Sequence, residues 1–179
     1  MAYDFCVGRG AKYPMAFLQG WSGALVRDEF KGYESVLKLD GRTAPGCLAH
    51  ARRKFDELVK INQSPVASQA VQPIAWRYRI EREAHDLASD ECLVMRRERA
   101  QPLWEELGTW LRLERTRVPD GSAIAGAIDY TLNHCAALTM HLKNGNVPID
   151  NNHVENLMRP WAMGRKAWLL KFDTKALFF

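Results

Sequence analysis

From Cys47 onward, apolar residues recur at three- and four-residue spacing. Leu48, Ala51, Phe55, Leu58 and Val59 fall on one face, with Arg52, Arg53 and Lys54 on others, as in an amphipathic helix. Ser64-Pro65 predicts the next helix start, with serine as cap and proline in the first turn. Pro73, nine residues into that pattern, predicts a kink or a later true start. Leu103, Leu107, Trp110 and Leu111 form another stripe, and Ser122 opens a helix with Ile124, Ile128, Leu132, Cys135 and Leu138 on its inner side.

The flanks pattern differently. Tyr3 to Val7 alternates loosely and ends at Gly8-Arg9-Gly10, which predicts a strand and turn. Pro14 to Leu18 predicts a helical turn closed by Gly20, and Gly23 to Asp28 a buried core strand. Ser35 to Leu39 is a further short element between Gly32 and Gly41. Asn144-Gly145-Asn146 predicts a turn, after which Asp150, Asn151 or Asn152 can cap a helix through Val154, Glu155 and Met158 that Pro160 bends or ends. Ala167 to Leu170 is a short apolar segment, helix or strand. The order is strand-rich, then helical, then one last helix, an α+β chain with a large all-α subdomain at 62–145.

Composition narrows the class. With 179 residues, 47% hydrophobic and 26% charged, the chain can bury a substantial core and is unlike disordered or collagen-like sequences. No apolar run approaches the roughly 18–20 residues of a membrane span. The first residues, MAYDFCVGRG, lack the basic-then-apolar layout of a secretion signal, so a cytoplasmic location and no membrane partner are expected. Cys6, Cys47, Cys92 and Cys135 are far apart and read as reduced thiols. A net charge of +4 is compatible with nucleic acid without specifying it.

Two carboxylates draw notice as candidate chemistry. Asp28 ends an apolar run, and Glu155 lies in the first turns of a capped helix. Side-chain oxygens so placed can converge on hard divalent cations, and two such ions can promote phosphodiester cleavage. On the residues alone this signal is poor: aspartate at a strand end is commonly a turn residue, and Glu155 can simply pair with Arg159 one helical turn on.

Several long motifs in order carry a resemblance. Gly46-Cys47-Leu48-Ala49-His50-Ala51-Arg52-Arg53-Lys54-Phe55 and Pro148-Ile149-Asp150-Asn151-Asn152-His153-Val154-Glu155-Asn156-Leu157-Met158-Arg159-Pro160 resemble the transposases of the bacterial insertion-sequence family numbered sixty-six, of the TnpC type. Phe17-Leu18-Gln19-Gly20, Gly32-Tyr33, Ser64-Pro65-Val66-Ala67 and Gly164-Arg165-Lys166-Ala167-Trp168 agree, and the likeness runs from about Tyr3 to Leu170.

The resemblance implies an RNase H-like core carrying the three acids of a DDE site, with a helical insertion between the second and third. Core segments would be 1–61 and 146–179, around the insertion at 62–145. Asp28, in Asp28-Glu29-Phe30, matches the second acid of an Asp-Gly-Tyr motif, with Glu29 in place of the glycine. Glu155 matches the final acid of Asp-Asn-Asn-x-x-Glu, with Asn151 and Asn152 positioning its helix. These two acids would be catalytic and would ligate Mg2+ or Mn2+. The implied activity is metal-dependent cleavage and strand transfer in DNA transposition, with transposon ends and target DNA as partners, near the nucleoid.

The first acid is expected on an earlier strand, so the chain is expected to begin after it, with its core incomplete. From Lys171 onward the tail departs from the family's continuation. A truncated fragment inactive alone is therefore expected, able to associate with itself or with full-length transposase. The alternative is a non-catalytic DNA-binding or regulatory remnant.

Other motifs fit around this frame. Cys47 and His50 make half a zinc site by spacing, with no second pair to complete it; by resemblance they are structural. Arg52, Arg53, Lys54, Arg159, Arg165 and Lys166 are candidates for DNA phosphates or solvated helix faces, and Trp168 is the tryptophan expected nearest DNA. Trp104 and Trp110 fit helix-core spacing. Cys92 and Cys135 read as small apolar fillers, and Arg96, Arg97 and Arg99 as an exposed face interleaved with Glu91 and Glu98.

Overall fold

The computed structural model describes residues 5–6, 8, 10–27, 31–167 and 177–178. The chain forms two units, one of residues 1–44 and 151–179, the other of 45–150. Helix predominates and the strands are short, so the class is α+β.

In the first unit, β1 (Phe5–Cys6) pairs antiparallel with β4 (Leu177–Phe178), and β2 (Gly23–Ala24) pairs parallel with β3 (Arg42–Thr43). Helices α1 (Lys12–Phe17) and α2 (Glu34–Leu37) lie along the first stretch, and α9 (Asn152–Ala167) along the second. Arg42 ties the β2–β3 region together. Its guanidinium donates to the Trp21, Val36 and Leu18 carbonyls at 2.7, 3.1 and 2.6 Å and lies 5.8 Å from the Trp21 ring centroid. Charged donors on several carbonyls at once fix a loop-rich region that has little sheet to hold it.

Two expectations are corrected here. Gly23 to Asp28 is not a buried core strand among its described residues: regular pairing covers Gly23–Ala24, Gly23 is exposed and residues 24–27 are half-buried. Pro160 does not end its helix, because α9 runs on to Ala167. Proline removes the bond to the carbonyl four residues back. Asn156 and Pro160 are both exposed, so water can satisfy that carbonyl. Pro73 behaves the same way inside α4, with Gln69 exposed.

The second unit is helical: α3 (Leu48–Asn62), α4 (Pro65–Glu83), α5 (Ser89–Met95), α6 (Gln101–Arg115), α7 (Ala123–Asn133) and α8 (Cys135–Leu138). Both predicted serine caps form. The Ser64 hydroxyl accepts from Ala67 N–H at 3.3 Å and the Ser122 hydroxyl from Ala125 N–H at 3.2 Å, each satisfying an amide that a helix start leaves unbonded. The helix expected from Ser122 through Leu138 breaks at His134, between α7 and α8.

Leu48, Ala51, Phe55, Ile74, Trp104, Leu107, Leu111, Ile128 and Leu138 form one buried cluster. Each buried aliphatic side chain contributes about 1.5–3 kcal/mol relative to exposure, so this cluster dominates the unit's stability. Between α5 and α6 the backbone widens into a π turn, Arg96–Ala100. Pro102, just beyond, cannot donate to the Glu98 carbonyl and its ring would crowd that carbonyl in a regular helix. The wider turn relieves the clash and keeps α5 and α6 continuous.

Candidate functional site

In the first unit, α9 starts at Asn152, where the asparagine pair predicted it. The Glu155 amide donates to the Asn151 carbonyl at 3.0 Å, closing the first helical turn. Glu155, Asn151 and Asn152 are half-buried. A carboxylate in this first turn lies at the positive end of the helix dipole, a stabilising placement for an acidic side chain. Arg159 is exposed one turn further on, and the same helix carries Arg165 and Lys166. Asp28, the other predicted metal ligand, lies outside the described residues, as do Glu29 and Trp168. Among the described residues, no group of three or more His, Cys, Asp or Glu side chains could hold a metal ion. The donor type nonetheless fits: carboxylate oxygen is the ligand that magnesium and manganese prefer.

In the helical unit, the two long motif stretches meet. The Leu48 amide, at the start of α3, donates to the Ile149 carbonyl at 3.0 Å, and the Gly46 amide donates to the Ala137 carbonyl at 2.9 Å. Gly46 has a steric reason to be glycine. A Cβ there would come within 3.1 Å of the Leu138 side chain and 3.2 Å of its main-chain nitrogen. Cys47 is buried in extended backbone immediately before α3, and His50 is half-buried in the first turn.

Around this junction sit Tyr78 of α4, Arg52 of α3 and Asp150. Burial, reinforced by the Asp150 carboxylate, pushes the Tyr78 phenol above its ordinary range, so it stays protonated and can donate. The Arg52 guanidinium lies 5.6 Å from the Tyr78 ring centroid and pairs with Asp56 at 3.2 Å. The sequence reading did not single out Tyr78; its place four residues after the apolar Ile74 was the available signal.

The basic run on α3 divides by environment. Arg52 is held as described, Lys54 sits 4.4 Å from the Tyr130 ring centroid, and Arg53 is exposed.

Arg96 departs most from expectation. It is 4% exposed, not part of a solvated face. Its Nε and Nη2 bind both oxygens of Glu81 at 2.9 and 2.6 Å. Nη1 lies 3.0–3.2 Å from the carbonyls of His141, Asn144, Gly145 and Val147. This guanidinium therefore anchors the turn that leads into Pro148-Ile149-Asp150. Arg77 is also fully buried, donating to the Pro73 and Leu103 carbonyls and lying over the Trp104 ring. Burial lowers its pKa to about 10, which leaves it charged at neutral pH.

The chain's sequence relatives define its class. The chain matches the model of the Transposase IS66 family over residues 1–176, and it is a member of that family. Among its relatives, three proteins of Sinorhizobium fredii each carry the description uncharacterized protein. The first, y4hP, is 32% identical over 176 residues, covering 89% of this chain and 32% of the relative. The second, y4jD, is 33% identical over 172 residues, covering 93% and 34%. The third, y4qI, is 31% identical over 173 residues, covering 93% and 32%. The chain thus spans about a third of the length of these relatives. No solved structure matches it. Among the described residues, no helix is long and apolar enough to cross a membrane.

Proposed function

We propose that this chain is the part of a DNA transposase that carries the second and third acids of a DDE site, Asp28 and Glu155, on an RNase H-like core. The helical unit, 45–150, then contains the insertion expected at 62–145 between the acid-bearing segments. The observation that supports this most directly is the main-chain bond from Leu48 to Ile149. It joins the two longest family motifs, and the second of these continues into the turn of α9 that holds Glu155.

In this reading Asp28 and Glu155 would hold Mg2+ or Mn2+, which supplies charge stabilisation for phosphodiester cleavage and strand transfer. Asn151 starts the helix and fixes the height of Glu155 along it. Arg159, Arg165 and Lys166, on the same helix, would approach DNA phosphates, with Arg53 a further candidate on α3 and Trp168 beside the DNA. The partners are transposon ends and target DNA at the nucleoid. Cys47 and His50 support the junction and are not metal ligands. The chain is expected to bind the ion through these two acids.

Calorimetric titration of the chain with Mn2+ tests this. Binding should be detectable and should weaken at least tenfold in Asp28→Asn and in Glu155→Gln alike. Unchanged binding in both variants would overturn the metal assignment. Salt-dependent DNA binding that persists without any divalent-ion effect would replace it with the non-catalytic DNA-binding role.

A further inference from the structure

Helix α6 and the segment 135–143 enclose a cavity of about 510 Å³ within the helical unit. Trp104 and Leu142 form its buried wall, while Arg97, Arg112 and Lys143 are exposed at its rim. Among the described residues, these three cations make no hydrogen bond or ion pair. Elsewhere in the unit Arg52, Arg79, Arg96, Arg99, Arg115 and Arg117 each pair with a carboxylate. Glu105 is the single carboxylate among the described lining residues, and it already accepts from Gln101 at 3.0 Å. The indole N–H of Trp104, which is 4% exposed, has no hydrogen-bond partner, although buried donors are nearly always paired.

A cavity edged by unneutralised cations, with an unused donor in its wall, is complementary to an anion. The shape of the cationic rim says which kind. Arg97 and Arg112 stem from positions 15 residues apart on one continuous helix, about 22 Å along its axis, and Lys143 comes from a different segment. They reach the cavity from separate directions, which suits an extended chain of phosphates better than one compact anion. Guanidinium groups favour phosphate oxygens geometrically. We infer that this groove binds the sugar–phosphate backbone of a DNA strand, a contact surface separate from α9. The inference rests on reading the chain as part of a DNA-acting transposase.

The test is fluorescence anisotropy of the whole chain with labelled DNA across about 50–200 mM salt, for the wild type and for Arg97→Gln/Arg112→Gln/Lys143→Gln. Each lost phosphate contact lowers the slope of log affinity against log salt by about 0.9 on duplex or 0.7 on single strands. The triple variant should therefore lose about 2–3 from that slope while its melting temperature stays unchanged. Lys143→Glu alone should weaken binding in the same direction, which keeps the test independent of the triple variant's folding. An unchanged slope, with wild-type binding intact, would overturn the groove and leave the transposase reading standing. Absence of salt-dependent binding by the wild type would sink both. Poly-glutamate competing as well as DNA at equal charge would assign the groove to an acidic protein partner and overturn the inference.

Discussion

Replacing Arg96 with methionine keeps most of the side-chain stem and removes the guanidinium. The Glu81 carboxylate, 15% exposed, then loses both of its hydrogen bonds from Arg96, and the carbonyls of His141, Asn144, Gly145 and Val147 lose their shared donor. Removing one partner of a buried ion pair costs about 3–5 kcal/mol, because the remaining charge is stranded. That is a large share of the roughly 5–15 kcal/mol that holds a typical domain folded.

An internal comparison isolates the cause. Arg99 and Glu83 pair at the same 2.6 Å distance, but the two side chains are 45% and 39% exposed, where solvent and salt screen the interaction. Urea unfolding of Arg96→Met should show a loss in the stated range, and Arg99→Met should stay within the scatter of the measurement. Glu81→Gln added to Arg96→Met should restore part of the loss by removing the stranded charge. Equal losses in the two single variants would refute the argument that burial, rather than proximity, sets the strength of these pairs.

Two further outcomes follow from the same unit. Burial, together with the nearby positive charges of Arg96 and Arg77 and against the Leu138 carbonyl contact, pushes the His141 pKa down from 6.5 to about 4. The unfolded chain therefore takes up this proton first, so stability present above pH 6.5 is lost as pH falls toward 4. The ceiling is about 3 kcal/mol, at about 1.4 kcal/mol per pKa unit; His141→Asn should flatten the profile, and an identical acid loss in the variant would contradict this. Gly145→Ala would drive a Cβ into the Ser89 carbonyl oxygen, where main chain must move. A cost of about 1–3 kcal/mol should appear in thermal melts, and a neutral result would mean the two segments separate freely.

The sequence spoke most clearly where one rule acted alone. Ser64 and Ser122 cap helices as their chemistry requires, and the Leu48–Phe55 face is buried as its spacing requires. Pro73 and Pro160 sit inside helices that continue past them, with Gln69 and Asn156, the residues four back, exposed to water, and exposure is a tertiary property. Arg96 misled because it sits among Arg97, Glu98 and Arg99, a run that reads as surface. It lies at the start of the π turn and packs inward on Glu81 and four main-chain oxygens that no local pattern reveals. At the candidate site, the start of α9 at the asparagine pair was legible, but the meeting of residues 48 and 149 is a long-range pairing without a local signal. Asp28 and Trp168 lie outside the described residues.

The acceptors around Arg96 in the 141–147 turn are all peptide oxygens, and peptide oxygens are common to every residue type. Positions 141, 144 and 147 are thus free to drift as far as this anchor is concerned, and mutation there leaves the attachment intact. Only the anchoring arginine, its acidic companion and the one position with no room for a side chain are constrained. Three positions, 81, 96 and 145, thus suffice to hold the turn that leads into Pro148.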